Sequence, residues 1–424
     1  MPREMKDSGV EWLGSIPTAW ELSKIGTLYT ERKTKVSDVD YPPLSVTMKG
    51  IVPQLATAAK TDAHDDRKLV CVGDFAINSR SDRRGSCGIS AYDGSVSLIN
   101  TILTPRKSMN PRYYNWLFHT TSFADEFYSW GHGIVDDLWT TNWQDMKRIQ
   151  IPVPPLAEQE AIADFLDKQC AEIDAVIEQT KATIEEYKKL KQSVITEAVT
   201  KGIRGDRPMK DSGIEWIGEI PREWEIRKLF RAIDNIGDID HYMPASVDNG
   251  IPYLMTGDLR EKLSEVKFEE CKQVAMEDYL ELSSKIKVTK GDIIFARYAT
   301  IGTVCIVDVD KDFLVSYSCL TIKPTVGLLS GVFLFYYLKS SAFFEEVKQY
   351  INSNTQSNVG LDSMTKSKIV LPSILEQQEI AYYLDQKCAE IDTLIEKKTA
   401  LIEEMEALKK STIFEYVTGK KEVV

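Results

Sequence analysis

Two stretches of the chain place apolar residues at alternating steps of four and three, the signature of a helix with one buried stripe. In the first, Ile162, Leu166, Gln169, Ile173, Val176, Thr180, Thr183, Tyr187, Leu190 and Val194 lie on that stripe. In the second, Ile380, Leu384, Lys387, Ile391, Leu394, Lys398, Leu401, Met405, Leu408 and Thr412 do the same. Charged residues fill the other faces, and neither run contains Gly or Pro. Each follows a proline break (Pro152, Pro154 and Pro155; Pro372) and ends near Gly202 or Gly419, the start and stop signals of a helix. About forty residues in each predict a rod of roughly 60 Å. A seam of that length needs a partner, and the other copy supplies one.

The segments preceding each rod have a different period. Lys290–Arg297 and Gly302–Val307 read as two strands around a loop, and Val72–Asn78 is the counterpart in the first half. Pro111–Tyr128 and Gly331–Tyr350, rich in Phe, Tyr and Leu, read as amphipathic helices. Each segment is expected to be an α+β domain.

The chain is built twice. Met5-Lys-Asp-Ser-Gly-Val-Glu-Trp-Leu-Gly-Ser-Ile-Pro-Thr-Ala-Trp-Glu21 recurs, with few changes, as Met209–Glu225. Glu158-Gln159, Leu166-Asp167 and Cys170–Asp174 recur as Glu376-Gln377, Leu384-Asp385 and Cys388–Asp392. A period of about two hundred residues is far above that of a solenoid, so a whole domain and its connector have been duplicated. The division predicted is a first globular domain at 1–155, a helix at 156–205, a second domain at 206–373 and a helix at 374–424. The first helix leaves one domain and arrives at the other, and the second must return along it. The expected fold is therefore α+β: two globular domains held apart by a pair of long antiparallel coiled-coil helices, with internal pseudo-two-fold symmetry.

Composition narrows the class. With 424 residues, 43% of them apolar and 27% charged, every part is able to bury a core. No run of about 18 apolar residues suggests a membrane span, and the start does not read as a signal peptide. A cytoplasmic location is expected. The seven cysteines are odd in number and scattered, without a C-x-x-C pair, which fits free thiols better than disulfides or zinc. Cys170 and Cys388 read as small packing residues and not as nucleophiles.

The net charge of −12 argues at first against a polyanionic partner. Counted by region, however, residues 1–155 are neutral and the acid lies in the rest. Locally, Asn78–Ser90 holds Arg80, Arg83 and Arg84 against Asp82 alone, and Ser284–Val307 holds Lys285, Lys287, Lys290 and Arg297 against Asp292. Such loops are often solvated turns, but here two stand at equivalent places in two repeats. Motifs for chemistry are missing. Asn110-Pro-Arg-Tyr113 lacks the second proline of a base-flipping methyltransferase tetrapeptide. No G-x-x-x-x-G-K-[ST] phosphate loop occurs, and Lys290 with Asp292 reads as a turn before a strand more readily than as a nuclease cluster.

The duplicated Met-Lys-Asp-Ser-Gly-x-Glu-Trp-x-Gly-x-Ile-Pro-x-x-Trp-Glu block, the Pro154-Pro155-Leu-x-Glu-Gln159 helix entrance, the two Ala-Glu-Ile-Asp blocks at 171–174 and 389–392, and the exits Glu197–Gly202 and Glu415–Lys420 together resemble the specificity subunit of Type I restriction-modification enzymes. The resemblance covers the whole chain. The second helix entrance, Leu371-Pro-Ser-Ile-Leu-Glu-Gln377, departs from it by lacking the double proline. The resemblance implies a non-catalytic, DNA-binding subunit in which each domain reads one half of a split asymmetric target on double-stranded DNA. The helices would set the gap and dock two modification (methyltransferase) subunits. No cofactor is implied for this chain: S-adenosylmethionine, ATP and Mg would belong to partner subunits, which could include restriction or motor subunits. The competing class is a duplicated coiled-coil scaffold that binds proteins without DNA specificity.

On this reading the base-contact candidates of the first domain are Thr47, Lys49, Arg80, Arg83 and Arg84, with His132 between Gly131 and Gly133. In the second they are Thr256, Asp258, Arg297, Tyr298, Thr300, Asn354, Gln356 and Asn358. Arg suits guanine, and Asn or Gln suits adenine, in the major groove.

Overall fold

A computed structural model describes residues 3–55, 64–106, 109–133, 139–298, 300–352 and 358–423. Its contacts gather into two units, Met1–Lys181 with Ala400–Val424, and Ala182–Thr399. The fold is α+β and duplicated.

In the first unit an antiparallel sheet orders its strands Cys87–Ile89, Phe75–Asn78, Asn100–Pro105 and Tyr29–Glu31. The second unit repeats that order with Val304–Ile306, Ile293–Ala296, Cys319–Pro324 and Ile233–Gly237. Strands Phe75–Asn78 and Ile293–Ala296 are buried along their whole length, as the apolar runs Phe75–Ile77 and Ile293–Ala296 require. A second, three-stranded sheet accompanies each. In the first unit it is antiparallel throughout, from Gly94–Val96 through Arg67–Val70 to Lys35–Val36. In the second, Ile251–Leu254 pairs antiparallel with Lys272–Val274 and parallel with Leu314–Val315.

The aromatic stretches are each two helices instead of one. Thr120 ends Pro111–Phe118 and its Oγ1 accepts the Phe123 N–H at 3.2 Å, starting Thr121–Ser129. Ser340 does the same for Phe343 at 3.2 Å between Gly331–Lys339 and Ser341–Lys348. A hydroxyl that caps the next helix breaks the one before it. Asn110 likewise is a helix cap, accepting the Arg112 N–H at 3.0 Å with Pro111 in the first turn, and Asp292 closes a turn by accepting from Thr289 N–H at 2.7 Å.

The long helices are Leu156–Lys201, 46 residues, and Ile374–Val417, 44 residues. Each unit takes a piece of both. Ile162, Leu166 and Cys170 join Ile413 and Val417 in the first unit's core, and Ile195, Ala198 and Val199 join Ile380, Leu384 and Cys388 in the second's. Within the first unit Phe165 packs on Tyr416, with ring centroids 4.3 Å apart, and Lys409 Nζ donates to Asp174 at 2.7 Å. The numbers fall on one helix as they rise on the other, so the pair is antiparallel. Within the second unit Lys191 Nζ donates to Asp392 at 2.7 Å. These are the same two repeat positions with the copies exchanged.

The expected seam is corrected in phase. Ile162, Leu166 and Thr180 are buried, but so are Cys170, Ile177 and Ile184 in place of Gln169, Val176 and Thr183, and Val176 and Leu190 are 43% and 49% exposed. The second copy repeats the shift: Cys388 is buried, while Leu394 and Leu408 are 41% and 48% exposed. Lys191 and Lys409 occupy positions on the true stripe. Cys170 and Cys388 therefore lie in the seam and not beside it. Burial pushes the Cys170 thiol up to about 11 and raises that of Cys388, so both act as packing groups.

The repeated sequence block is a latch. Its hairpins, Met5–Asp7 with Ser15–Pro17 and Met209–Asp211 with Glu219–Pro221, place Trp20 and Trp224 in the cores. Trp20 Nε1 donates to Glu158, and Trp224 Nε1 to Glu376, each at 2.8 Å in the first turns of the long helices. Arg3 and Arg207 complete each latch, lying over the indole and pairing with the same carboxylate. The helix exits close against the same indoles. Gly202 and Gly419 adopt φ of +81° and +71°, and a Cβ there would meet the Arg207 guanidinium or Pro17 and Trp20. Ser373 takes the place of the missing double proline, its Oγ accepting the Glu376 N–H at 3.3 Å.

Candidate nucleic-acid interface

In each unit the chain leaves the central strand, Phe75–Asn78 or Ile293–Ala296, into a loop that is tied to a distant segment. Arg80 and Thr140 form an isolated antiparallel bridge, and Tyr298 and Asn358 form the matching one. The loops predicted to be counterparts are therefore equivalent in three dimensions, and Tyr298 stands where Arg80 does.

The first loop is a short turn of 3-10 helix, Ser81–Arg83, closed by Arg83 N–H to Arg80 O at 3.2 Å and by Gly85 at φ +72°. Arg83 projects outward, 68% exposed, with Asp82 at 3.5 Å. Arg84 donates to Asp125 at 2.7 Å and lies 5.3 Å over the Tyr128 ring. These exposed pairs hold the guanidinium in place weakly enough for a phosphate or base to replace the acid. Thr140 also pairs with His132 through both backbone groups, at 2.9 and 3.1 Å, so Arg80 and His132 flank one residue. The His132 ring is exposed, with Nε2 3.4 Å from Asp145.

Thr47 and Lys49 sit on the hairpin Leu44–Thr47 with Gly50–Pro53. Thr47 Oγ1 closes the tip by donating to Gly50 O at 2.8 Å and accepting Lys49 N–H at 3.1 Å, whereas Lys49 and Met48 are exposed. The hairpin lies directly on strand Cys87–Ile89. A Cβ on Gly88 would stand 2.8 Å from Gly50 Cα, so only glycine admits that approach. A cavity of about 840 Å³ opens beneath it, lined among others by Lys49, His119, Lys181, Lys409 and Lys410 with Asp174, Glu178 and Glu406. His119 is held by Asn115 O at 2.6 Å, and burial lowers its pKa.

The second unit treats its basic residues differently. Arg297 is buried, its guanidinium donating to buried Asp238 and lying 4.9 Å over the Tyr298 ring. Lys285 pairs with Asp240 at 3.1 Å and Lys287 with Asp312 at 3.0 Å. The positive excess counted over Ser284–Val307 is thus met by acids from outside that stretch. Thr300 is exposed on the loop, and its carbonyl accepts Thr303 N–H at 3.1 Å. Thr256 and Asp258 lie on a separate turn after strand Ile251–Leu254, where Asp258 accepts the Met255 N–H at 2.8 Å. Asn354 and Gln356 lie outside the described residues. Asp238, His241 and Tyr317, which surround Arg297, escaped sequence reasoning because they stand 20 residues or more from it in the chain. Among the described residues no group of three or more His, Cys, Asp or Glu is placed to hold a metal ion, and no helix is long and apolar enough to cross a membrane.

A module built twice, each copy completed by the exchanged ends of two antiparallel helices and each presenting a tied loop beyond its sheet, defines a two-module recognition protein. The model of the Type I restriction modification DNA specificity domain matches residues 49–186 and again 221–404. The chain belongs to that family: it is a specificity subunit for DNA target recognition.

Among relatives, the Type I restriction enzyme MjaVIII specificity subunit of Methanocaldococcus jannaschii is 25% identical over 96% of this chain and 93% of its own length. The Type I restriction enzyme EcoBI specificity subunit of Escherichia coli is 26% identical over 58% of this chain and 52% of its own. The fold is shared with a chain solved in work on complex assembly and conformational transition of the type I R-M system, with a TM-score of 0.72, 14% identity and coverage of 96% and 99%. It is also shared with the HsdS subunit from Thermoanaerobacter tengcongensis, with a TM-score of 0.52, 14% identity and coverage of 96% and 98%.

Proposed function

We propose that this chain is the non-catalytic reader of a Type I restriction-modification complex, each unit taking one half of a bipartite asymmetric target in duplex DNA. The domains meant are 1–155 and 206–373. The spacer helices, at 156–205 and 374–424, set the gap between half-sites and dock two methyltransferase subunits. Those partners bring S-adenosylmethionine, and restriction subunits, where present, bring ATP and Mg; the work of this chain is cytoplasmic. The observation that carries the reading is the equivalence of the Arg80–Thr140 and Tyr298–Asn358 bridges. Two loops at the same place on one scaffold, with unlike side chains, suit two half-sites of unlike sequence. A fused pseudo-dimer also matches the local two-fold relation of a duplex, while leaving each half free to diverge.

The net charge of −12 implies a weak grip by the chain alone, since phosphate neutralisation dominates affinity. The chain should therefore co-purify with a methyltransferase subunit in a one-to-two ratio, and the complex should bind one duplex sequence over others. A saturated complex of one-to-one mass, or binding indifferent to sequence, would refute the reading.

A further inference from the structure

In the second unit the strap Asp238–Pro244 carries four consecutive exposed residues, Asp240 to Met243, between two fixed ends. At one end Asp238 is buried against the Arg297 guanidinium, and Ile239 is buried among Tyr253, Tyr279 and Leu282. At the other end Pro244 is buried and its carbonyl accepts from Lys272 Nζ. Between them stand His241, its ring 59% exposed, Tyr242 and Met243.

The His241 ring is already oriented. One face stacks on Tyr317, with centroids 4.8 Å apart and planes at 27°. Its Nε2 lies 3.2 Å from both Asp238 Oδ2 and Arg297 Nη2. Among the described residues no hydrogen bond reaches Nδ1, which donates or accepts according to the tautomer that Asp238 and Arg297 select. The surrounding charges cancel: Asp238 and Asp240 face Arg297 and Lys285, with Lys285 Nζ 3.1 Å from Asp240 and 3.6 Å from Asp238. A phosphate meets no unpaired cation in this group. A base edge meets a preset ring nitrogen able to donate or accept, with an aromatic side chain and a thioether beside it for apolar contact.

We propose that His241, flanked by Tyr242 and Met243, is a specificity-determining contact for the half-site read by the second unit. Arg297, the expected base reader, is then a positioning residue that acts through Asp238. This rests on the DNA-reading function proposed above. Pre-positioning the ring lowers the ordering cost of contact, as a rigid site requires.

The test maps methylated adenines in cells carrying the chain with its methyltransferase partner, as wild type, His241→Ala and His241→Phe. His241→Ala relaxes one or two positions of a single half-site by roughly ten- to a hundredfold, with the other half-site unchanged. His241→Phe keeps the ring on Tyr317 but lacks the nitrogens, and shows the same relaxation. If the alanine variant fails to assemble, the Phe variant decides. An unchanged pattern in either variant, or wild-type specificity restored by Phe, overturns the proposal. A wild-type complex without any two-part pattern would instead defeat the DNA-reading function on which it depends.

Discussion

The two units share a sheet order and differ at its edge. In the first, arginines stand on a tight turn and lean on exposed acids, Arg83 on Asp82 and Arg84 on Asp125. In the second, the one arginine of the equivalent loop is driven inside and paired with buried Asp238. The same scaffold thus offers an open cationic turn on one side and a pinned, nearly neutral surface on the other. A count of charge along a loop misses this difference, because Asp125 in the first unit and Asp238, Asp240 and Asp312 in the second lie outside the counted stretches.

Removing Arg297 should have the largest effect. Arg297→Ala strips Asp238 of its one buried partner, leaving only the exposed Lys285 and His241 beside it, and should cost up to about 3–5 kcal/mol, whereas Arg83→Ala should change stability by less than about 0.5 kcal/mol. Amide hydrogen exchange at Ile293–Ala296 and Phe75–Asn78 reads each unit by itself. Equal protection in both variants would erase the distinction between a pinned and an open loop.

The first unit should respond in binding instead. The double change Arg83→Ala and Arg84→Ala should cost about 1–3 kcal/mol if a base is read, relaxing one half-site and sparing the other. Duplex binding by the assembled complex to target variants measures this, and identical discrimination would reduce the loop to a solvated turn.

The helix pair yields the smallest change. Lys191→Met should cost about 0.5–1 kcal/mol, since the pair with Asp392 is partly exposed. Burial is the largest single influence and pulls the Lys191 pKa down, but the hydrogen bond to Asp392 together with the charges of Glu261 and Asp392 raises it above the ordinary 10.5. A raised pKa stabilises the fold fully below 10.5 and loses that contribution as pH climbs through the higher folded value. The melting difference between wild type and variant should hold from pH 7 to about 9.5 and narrow above about 10.5. A difference that widens with pH would contradict the assignment.

The helices, the duplication and the α+β character were legible because period and repeat are local properties of the sequence. The phase of the seam was not. Val176 and Ile177 are both apolar, and so neighbour buried seam positions equally well on paper. Lys191 and Lys409 broke the true stripe because each is accepted there by an aspartate of the opposite helix. The equivalence of the two loops was legible too, through matched strands. Which side chains leave the surface was not, because Asp238 lies 59 residues from Arg297 and nothing near Arg297 announces it. Thr47 likewise looked available and is occupied in closing its own turn.

The central claim is that two readers take two half-sites at a distance set by the helices, and an insertion tests it most directly. Four residues added between Thr180 and Thr183 lengthen a helix by about 6 Å and keep the seam roughly in phase, as a coiled-coil stutter does. With base pairs rising about 3.4 Å, mapped methylation should show both half-sites unchanged and the gap between them longer by one or two positions. Altered half-sites with an unchanged gap would contradict the account, by placing base reading in the helices and spacing elsewhere.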